Sequence, residues 1–168
     1  MNRYTVAVLV KNKFGVLNRV TSMFRRRQFN INALTVSETE SVETSRITVI
    51  FEGDEINKQQ LINQLYKLPD VLSIKELEEK SSVSCELMLI KMENNVDFRD
   101  DIMTAATAFG AETMDYSREA LVFKLTADSR RIDEFITLMR DYTILEICRT
   151  GTVSLEKGGE TIRSETRF

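Results

Sequence analysis

An α+β protein built from two βαββαβ units is predicted by three features of the sequence. Apolar residues alternate along residues 3–10 and recur at helical spacing just after them. The order strand, helix, hairpin, helix, strand is complete by Leu77, and the same order starts again at Val83 beyond a polar stretch. With 168 residues, 42% hydrophobic and 29% charged, the chain can bury a core in each unit, and its formal charge of −3 is too small to hold it unfolded.

In the first unit, Tyr4, Val6, Val8 and Val10 share one face of a strand. After the loop Asn12-Lys13-Phe14-Gly15, the residues Val16, Leu17, Val20, Met23 and Phe24 form one stripe of a helix that is predicted to end near Gln28. Residues 30–39 and 44–52 alternate again around the polar turn 40–43, which makes a hairpin. Asp54 is placed to cap a second helix, with Glu55 in its favourable first turn. That helix carries Leu61, Ile62, Leu65 and Leu68 on one side and stops before the single proline, Pro69. Val71, Leu72, Ile74 and Leu77 make the last strand.

The polar run 75–82 has the composition of a linker. Beyond it the reading is a strand over 83–92, a helix carrying Phe98, Ile102, Ala105, Ala106 and Phe109, and a hairpin over 111–116 and 120–126. Asp128 then caps a helix carrying Ile132, Phe135, Ile136 and Met139, and a single strand is expected over 143–153. The expected domains are therefore 1–78, a linker at 79–82, a second domain at 83–155 and a tail at 156–168. Each unit is an open antiparallel sheet with both helices on one face, the ferredoxin-like arrangement. The first strand is apolar on both faces, with Ala7 and Leu9 opposite Val6 and Val8, so the helix-free face needs cover. A dimer or larger assembly is expected to supply it, and the tail, which has no apolar period, is expected to be loose or bound to a partner.

Composition narrows the function. A charge of −3 gives no bulk attraction to nucleic acid or to an anionic membrane. The third strand offers Ile47, Val49 and Phe51, which suit a core better than a platform for RNA bases. The longest apolar runs, such as 85–92 with Glu86 and Lys91 inside it, are too short to span a bilayer. The first residues lack the order of a secretory signal, so a cytoplasmic location is expected. Cys85 and Cys148 are far apart and read as reduced thiols. Histidine is absent, which removes the commonest general base and transition-metal ligand, and the acidic residues Asp100, Asp101 and Asp115 have no second cluster at ligand spacing. An enzyme would have to work with carboxylates, lysines or tyrosines. Arg25-Arg26-Arg27 falls in the last turn of the first helix, where the helix dipole favours cations; docking on an acidic partner is the other reading.

The segment richest in chemistry is the first loop. Asn12 puts an amide at a strand end, and Gly15 stands where a helix begins and its amides point outward unpaired. A carboxylate is stabilised by such amides and by the dipole, provided no side chain blocks its approach. On its own the same loop also reads as a plain turn with no ligand.

The run 6–20, the segment 24–31 with Leu34-Thr35-Val36, Ser45-Arg46-Ile47-Thr48, Gly53-Asp54-Glu55 and Gln64-Leu65-Tyr66-Lys67-Leu68 before Asp70-Val71 closely resemble the ACT domain of acetolactate synthase small subunits. Glu86-Leu87-Met88-Leu89-Ile90-Lys91 and Arg149-Thr150-Gly151 extend the likeness more weakly through the second half. The resemblance implies a non-catalytic regulatory subunit in branched-chain amino-acid biosynthesis. It would activate a large catalytic subunit that carries thiamine diphosphate, magnesium and FAD, with no cofactor in this chain, and would confer feedback inhibition by valine. It also implies that the effector sits between two ACT domains, with Asn12, Gly15, Val16 and Leu17 of one chain on one side and Asn30 and Ile31 of the other closing it. The chemistry agrees: the amides of Val16 and Leu17 suit a carboxylate, and the side-chain oxygens of Asn12 and Asn30 suit an ammonium group. Aliphatic side chains differ by only ~1 to 3 kcal/mol per methylene in such a pocket, so the choice among valine, leucine and isoleucine is not legible. Phe14 and Asn32-Ala33 depart from the commoner pattern. A stand-alone ACT-type amino-acid sensor acting on another metabolic or transcriptional partner is the alternative, and a small carboxylate enzyme a third reading.

Overall fold

The structure, a computed structural model, describes residues 2–165; Met1 of the expected first domain and residues 166–168 of the expected tail lie outside the described residues. The chain divides into two compact units. One consists of the chain up to Ser84 together with the segment from Val153, and the other is Cys85–Thr152.

The first unit has the predicted order: β1 (Asn2–Lys11), α1 (Val16–Arg26), β2 (Ile31–Glu38), β3 (Thr44–Gly53), α2 (Glu55–Leu65) and β4 (Val71–Glu76). The sheet is antiparallel with strand order β2-β3-β1-β4. Alternation sends Tyr4, Val6, Val8 and Val10 with Ile47, Val49 and Phe51 to the helix side, where Val16, Val20, Phe24, Leu61 and Leu65 close the core. Asp54 caps α2 as expected, its carboxylate accepting from Asn57 N–H at 2.7 Å. Both helices stop earlier than the apolar stripes suggest. After α1, Gln28 takes φ 58°, which no helix continues, and after α2 the chain already turns at Tyr66.

The helix-free face of this sheet is buried too: Ala7, Leu9, Thr48, Ile50, Ser73 and Lys75 are all under 9% exposed. The expected tail packs there instead of standing loose. β9 (Val153–Glu156) and a short 3-10 helix (Ile162–Glu165) return to the first unit. Arg46 donates to the Ser154 carbonyl at 2.7 Å, Ser73 Oγ donates to the Ile162 carbonyl at 2.5 Å, and Lys75 pairs with Glu156 at 2.5 Å and Glu160 at 3.4 Å. Arg163 reaches Glu40 at 2.6 Å. The contacts that anchor it are polar and ionic, which is why apolar periodicity gave no sign of it.

The second unit repeats the pattern with β5 (Ser82–Glu93), α3 (Arg99–Phe109), β6 (Glu112–Tyr116), β7 (Ala120–Ala127), α4 (Ser129–Met139) and β8 (Ile144–Arg149), in the order β6-β7-β5-β8. Met88, Ile90, Met92, Leu121 and Phe123 meet Ile102, Ile132 and Phe135 in its core. The single strand expected over 143–153 is broken, because Gly151 adopts φ 78° and separates β8 from β9. Close to that turn the buried Glu86 carboxylate accepts bonds from Ser129 Oγ, from Thr152 Oγ1 at 2.7 Å and from Arg149 Nε at 2.8 Å. Burial pushes its pKa up, but the two hydroxyls and the guanidinium outweigh burial and hold it below the ordinary glutamate value. Among the described residues no helix is long and apolar enough to cross a membrane.

Candidate functional site

The first loop is pinned at both ends by the sheet. Lys11 N–H donates to the Asp70 carbonyl at 2.9 Å ahead of β4, and Asn12 N–H donates to the Glu43 carbonyl at 2.7 Å in the β2–β3 turn. The Asn12 side-chain NH2 donates to Glu38 Oε1 at 3.0 Å and to the Val42 carbonyl at 2.9 Å. With both amide hydrogens spent on one side, Oδ1 points the other way, and among the described residues it accepts no bond. Glu38 and the carbonyls of Val42 and Glu43 are thus positioning groups that sequence reading missed. The hairpin turn at 40–43 was visible, but its distance from Asn12 was not.

Gly15 stands at the N-cap of α1 with φ 81° and ψ −3°. A Cβ built there meets nothing within 4 Å, so in this chain the glycine answers to its left-handed backbone and the space above it is open. Val16 N–H donates back to the Lys13 carbonyl at 3.2 Å, which spends one of the two amides expected to face a ligand. The first bond of the helix is Arg19 N–H to the Gly15 carbonyl at 3.0 Å, so the amides of Leu17 and Asn18 belong to the unsatisfied first turn. That turn has no acidic residue and no side-chain cap, which leaves it attractive to an anion. Val16 is buried in the core, Leu17 is 43% exposed, and Phe14 stands fully out in solvent.

Asn30 and Ile31 are elsewhere. The chain leaves α1 through Phe29, whose N–H donates to the Phe24 carbonyl, and Ile31 then opens β2 opposite Phe51, which itself lies opposite Tyr4. The other end of β2, Glu38, lies opposite Ser45 and Val10, next to the first loop. From the Tyr4 level to the Val10 level is six residues of strand, about 20 Å at roughly 3.4 Å per residue. One chain therefore brings Asn12, Gly15, Val16 and Leu17 together and holds Asn30 and Ile31 at the opposite end of the sheet.

The second unit builds a parallel loop and fills it. Asn94 N–H donates to the Glu119 carbonyl and its side chain to the Ser117 carbonyl, as Asn12 does to Glu43 and Val42, but Asn94 Oδ1 accepts from Arg99 Nε at 2.6 Å. Its helix begins with Asp100 and Asp101, which disfavour a carboxylate ligand. Among the described residues no cluster of three or more acidic or thiol side chains could hold a metal ion.

Two family models match the chain: an AHAS small subunit-like ACT domain over residues 6–73 and the small subunit of acetolactate synthase over residues 85–158. A probable acetolactate synthase small subunit of Archaeoglobus fulgidus is 42% identical over 158 residues, covering 94% of this chain and 99% of that protein. The acetolactate synthase small subunit of Bacillus subtilis is 37% identical over 96% of this chain and 95% of its own length. The crystal structure of the acetolactate synthase small subunit of Thermotoga maritima superposes with a TM-score of 0.89 at 30% identity, covering 95% of this chain and all of that one. With relatives matched over nearly their whole length and both halves matched by models of one family, the chain belongs to the acetolactate synthase small-subunit family.

Proposed function

We propose that this chain is the non-catalytic, cytoplasmic regulatory subunit of acetolactate synthase in valine, leucine and isoleucine biosynthesis. In this reading it raises the activity of the thiamine-diphosphate-dependent large subunit, which carries the cofactors, and confers feedback inhibition by valine held between two ACT domains. Family membership supports the partner. The separation of the half-sites by about 20 Å supports the dimeric effector site.

β2 is an edge strand with its outer side open. Two such edges paired antiparallel about a two-fold axis would set the Ile31 end of one chain against the Glu38 end of the other. Asn30 and Ile31 of a second copy then face Asn12, Gly15 and Leu17. The Leu17 amide and the positive end of α1 receive the effector carboxylate, the free oxygens of Asn12 and Asn30 receive the ammonium, and Leu17 with Ile31 flanks the side chain. A ligand that touches both chains binds one arrangement of the pair better, and it shifts the equilibrium by that difference in affinity.

The test is reconstitution of the full chain with its large subunit, measuring acetolactate formation with and without each branched-chain amino acid. Stimulation that valine reverses is expected, with a solution mass of at least two 19.4 kDa chains. Absence of stimulation, or a monomer that binds none of the three amino acids, refutes the reading.

A further inference from the structure

α1 ends in Arg25-Arg26 with Arg27 as its C-cap, and beside its last turn lies a cleft of about 290 Å³ lined by Met23, Arg26, Arg27, Gln64, Lys67 and Leu68. Met23 and Leu68 give it apolar walls, and the three cations give it a positive rim. Among the described residues no carboxylate pairs with Arg26, Arg27 or Lys67, whereas Arg19, Lys58, Lys75 and Arg163 of the same unit each have one.

The plain explanation is that cations sit well at the negative end of a helix. It falls short in amount. A helix end offers about half a negative charge, so α1 and α2 together offset about one of three positive charges. The other three α-helices carry no basic residue in their last turn, and α4 has a single cation, Arg140, at its C-cap, so among the described α-helices the run of three cations is particular to the end of α1. About two positive charges remain uncompensated on a chain whose net charge is −3.

We infer that this cleft receives an acidic segment of the large subunit, with carboxylates on Arg26, Arg27 and Lys67 and an apolar side chain against Met23 and Leu68. The inference rests on the reading above that the chain joins a large subunit. The two guanidinium groups suit carboxylates in bidentate pairs, and the apolar walls would gain nothing from a small inorganic anion. Arg27 leads through Gln28 and Phe29 into Asn30 and Ile31, so docking acts on the same short segment that carries one half of the effector site. Coupling between the two bindings is then reciprocal.

The experiment titrates the large subunit with wild type and with R26E/R27E/K67E in about 50 mM and about 500 mM salt. The variant loses no described partner but sets acidic groups at the negative end of α1, so its melting temperature is expected to fall by only a few degrees with the chain still folded. Its half-saturating concentration should rise tenfold or more at low salt, with the gap narrowing at high salt as screening removes the attraction. The neutral R26Q/R27Q/K67Q should fall between. A wild-type chain that gives no stimulation overturns the earlier reading and this one together; a stimulating wild type whose curves coincide with the variant's at both salts overturns the cleft alone. Heat of binding with inorganic phosphate that is lost in the variant, alongside coincident curves, assigns the cleft to a small anion and overturns protein docking.

Discussion

Replacing Glu156 and Glu160 by alanine tests whether the returning C-terminal segment is an integral layer of the first unit. Lys75 lies on the helix-free face of the sheet with its side chain 9% exposed, 2.5 Å from Glu156 and 3.4 Å from Glu160. Removing one side of a buried ion pair costs roughly 3 to 5 kcal/mol when the remaining charge keeps no partner. Lys75 makes a further interaction besides these two, Glu156 is 21% exposed and Glu160 66% exposed, so the cost here falls below that range, at about 1 to 2 kcal/mol, with Glu160 contributing under ~1 kcal/mol of it. About 1 to 2 kcal/mol corresponds to roughly 2 to 8 °C in melting temperature for a chain of this length. Urea unfolding and thermal melts of the full chain measure it. Lys75→Met added to the double variant removes the buried charge and fills the space, so stability should return to within about 1 kcal/mol of wild type. A loss below ~0.5 kcal/mol in the double variant, or a Lys75→Met effect that is the same in both backgrounds, would refute the buried pair and with it the layer.

Gly15→Asp should abolish valine inhibition in the reconstituted enzyme while leaving stimulation largely intact, because it sets a negative charge beside the effector carboxylate. Gly15→Ala, which carries only the left-handed backbone strain of about 1 kcal/mol, should weaken inhibition far less, since an added Cβ has open space. Equal valine sensitivity of Gly15→Asp and wild type would remove the site from this loop. Glu86 titrates below the ordinary value of 4.5 in the folded chain, so the stability it lends is present above about pH 4.5 and disappears as pH falls through the lower folded value. Glu86→Gln should therefore be less stable than wild type at pH 7 and lose less on acidification. Unfolding curves for the two that stay parallel from pH 7 to pH 3 would contradict this.

Much of this protein is local and therefore legible in its sequence. Strand alternation, helix stripes and the caps at Asp54 and Asp128 depend on neighbours a few residues away, and both βαββαβ units follow from them. Gly15 and Asn12 were visible as a loop with a strand-end amide and a helix-start glycine, and the family likeness rested on residues of this same kind.

What depends on distant partners was not legible. Nothing near Arg46 and Ser73 in the sequence announces a buried partner, and Lys75 read as the start of the linker run, yet the return of the chain 80 or more residues later gives each a partner. The Asn12 side chain is held by Glu38 and Val42, and the free oxygen that results depends on a hairpin folding across the loop. Register alone places Asn30 and Ile31 at the far end of the sheet from Gly15, turning six residues of one proposed site into two halves that no single chain can close. Periodicity encodes which face a residue takes; charge pairing and register encode who meets it there, and those are settled only when the sheet and its covering segment assemble.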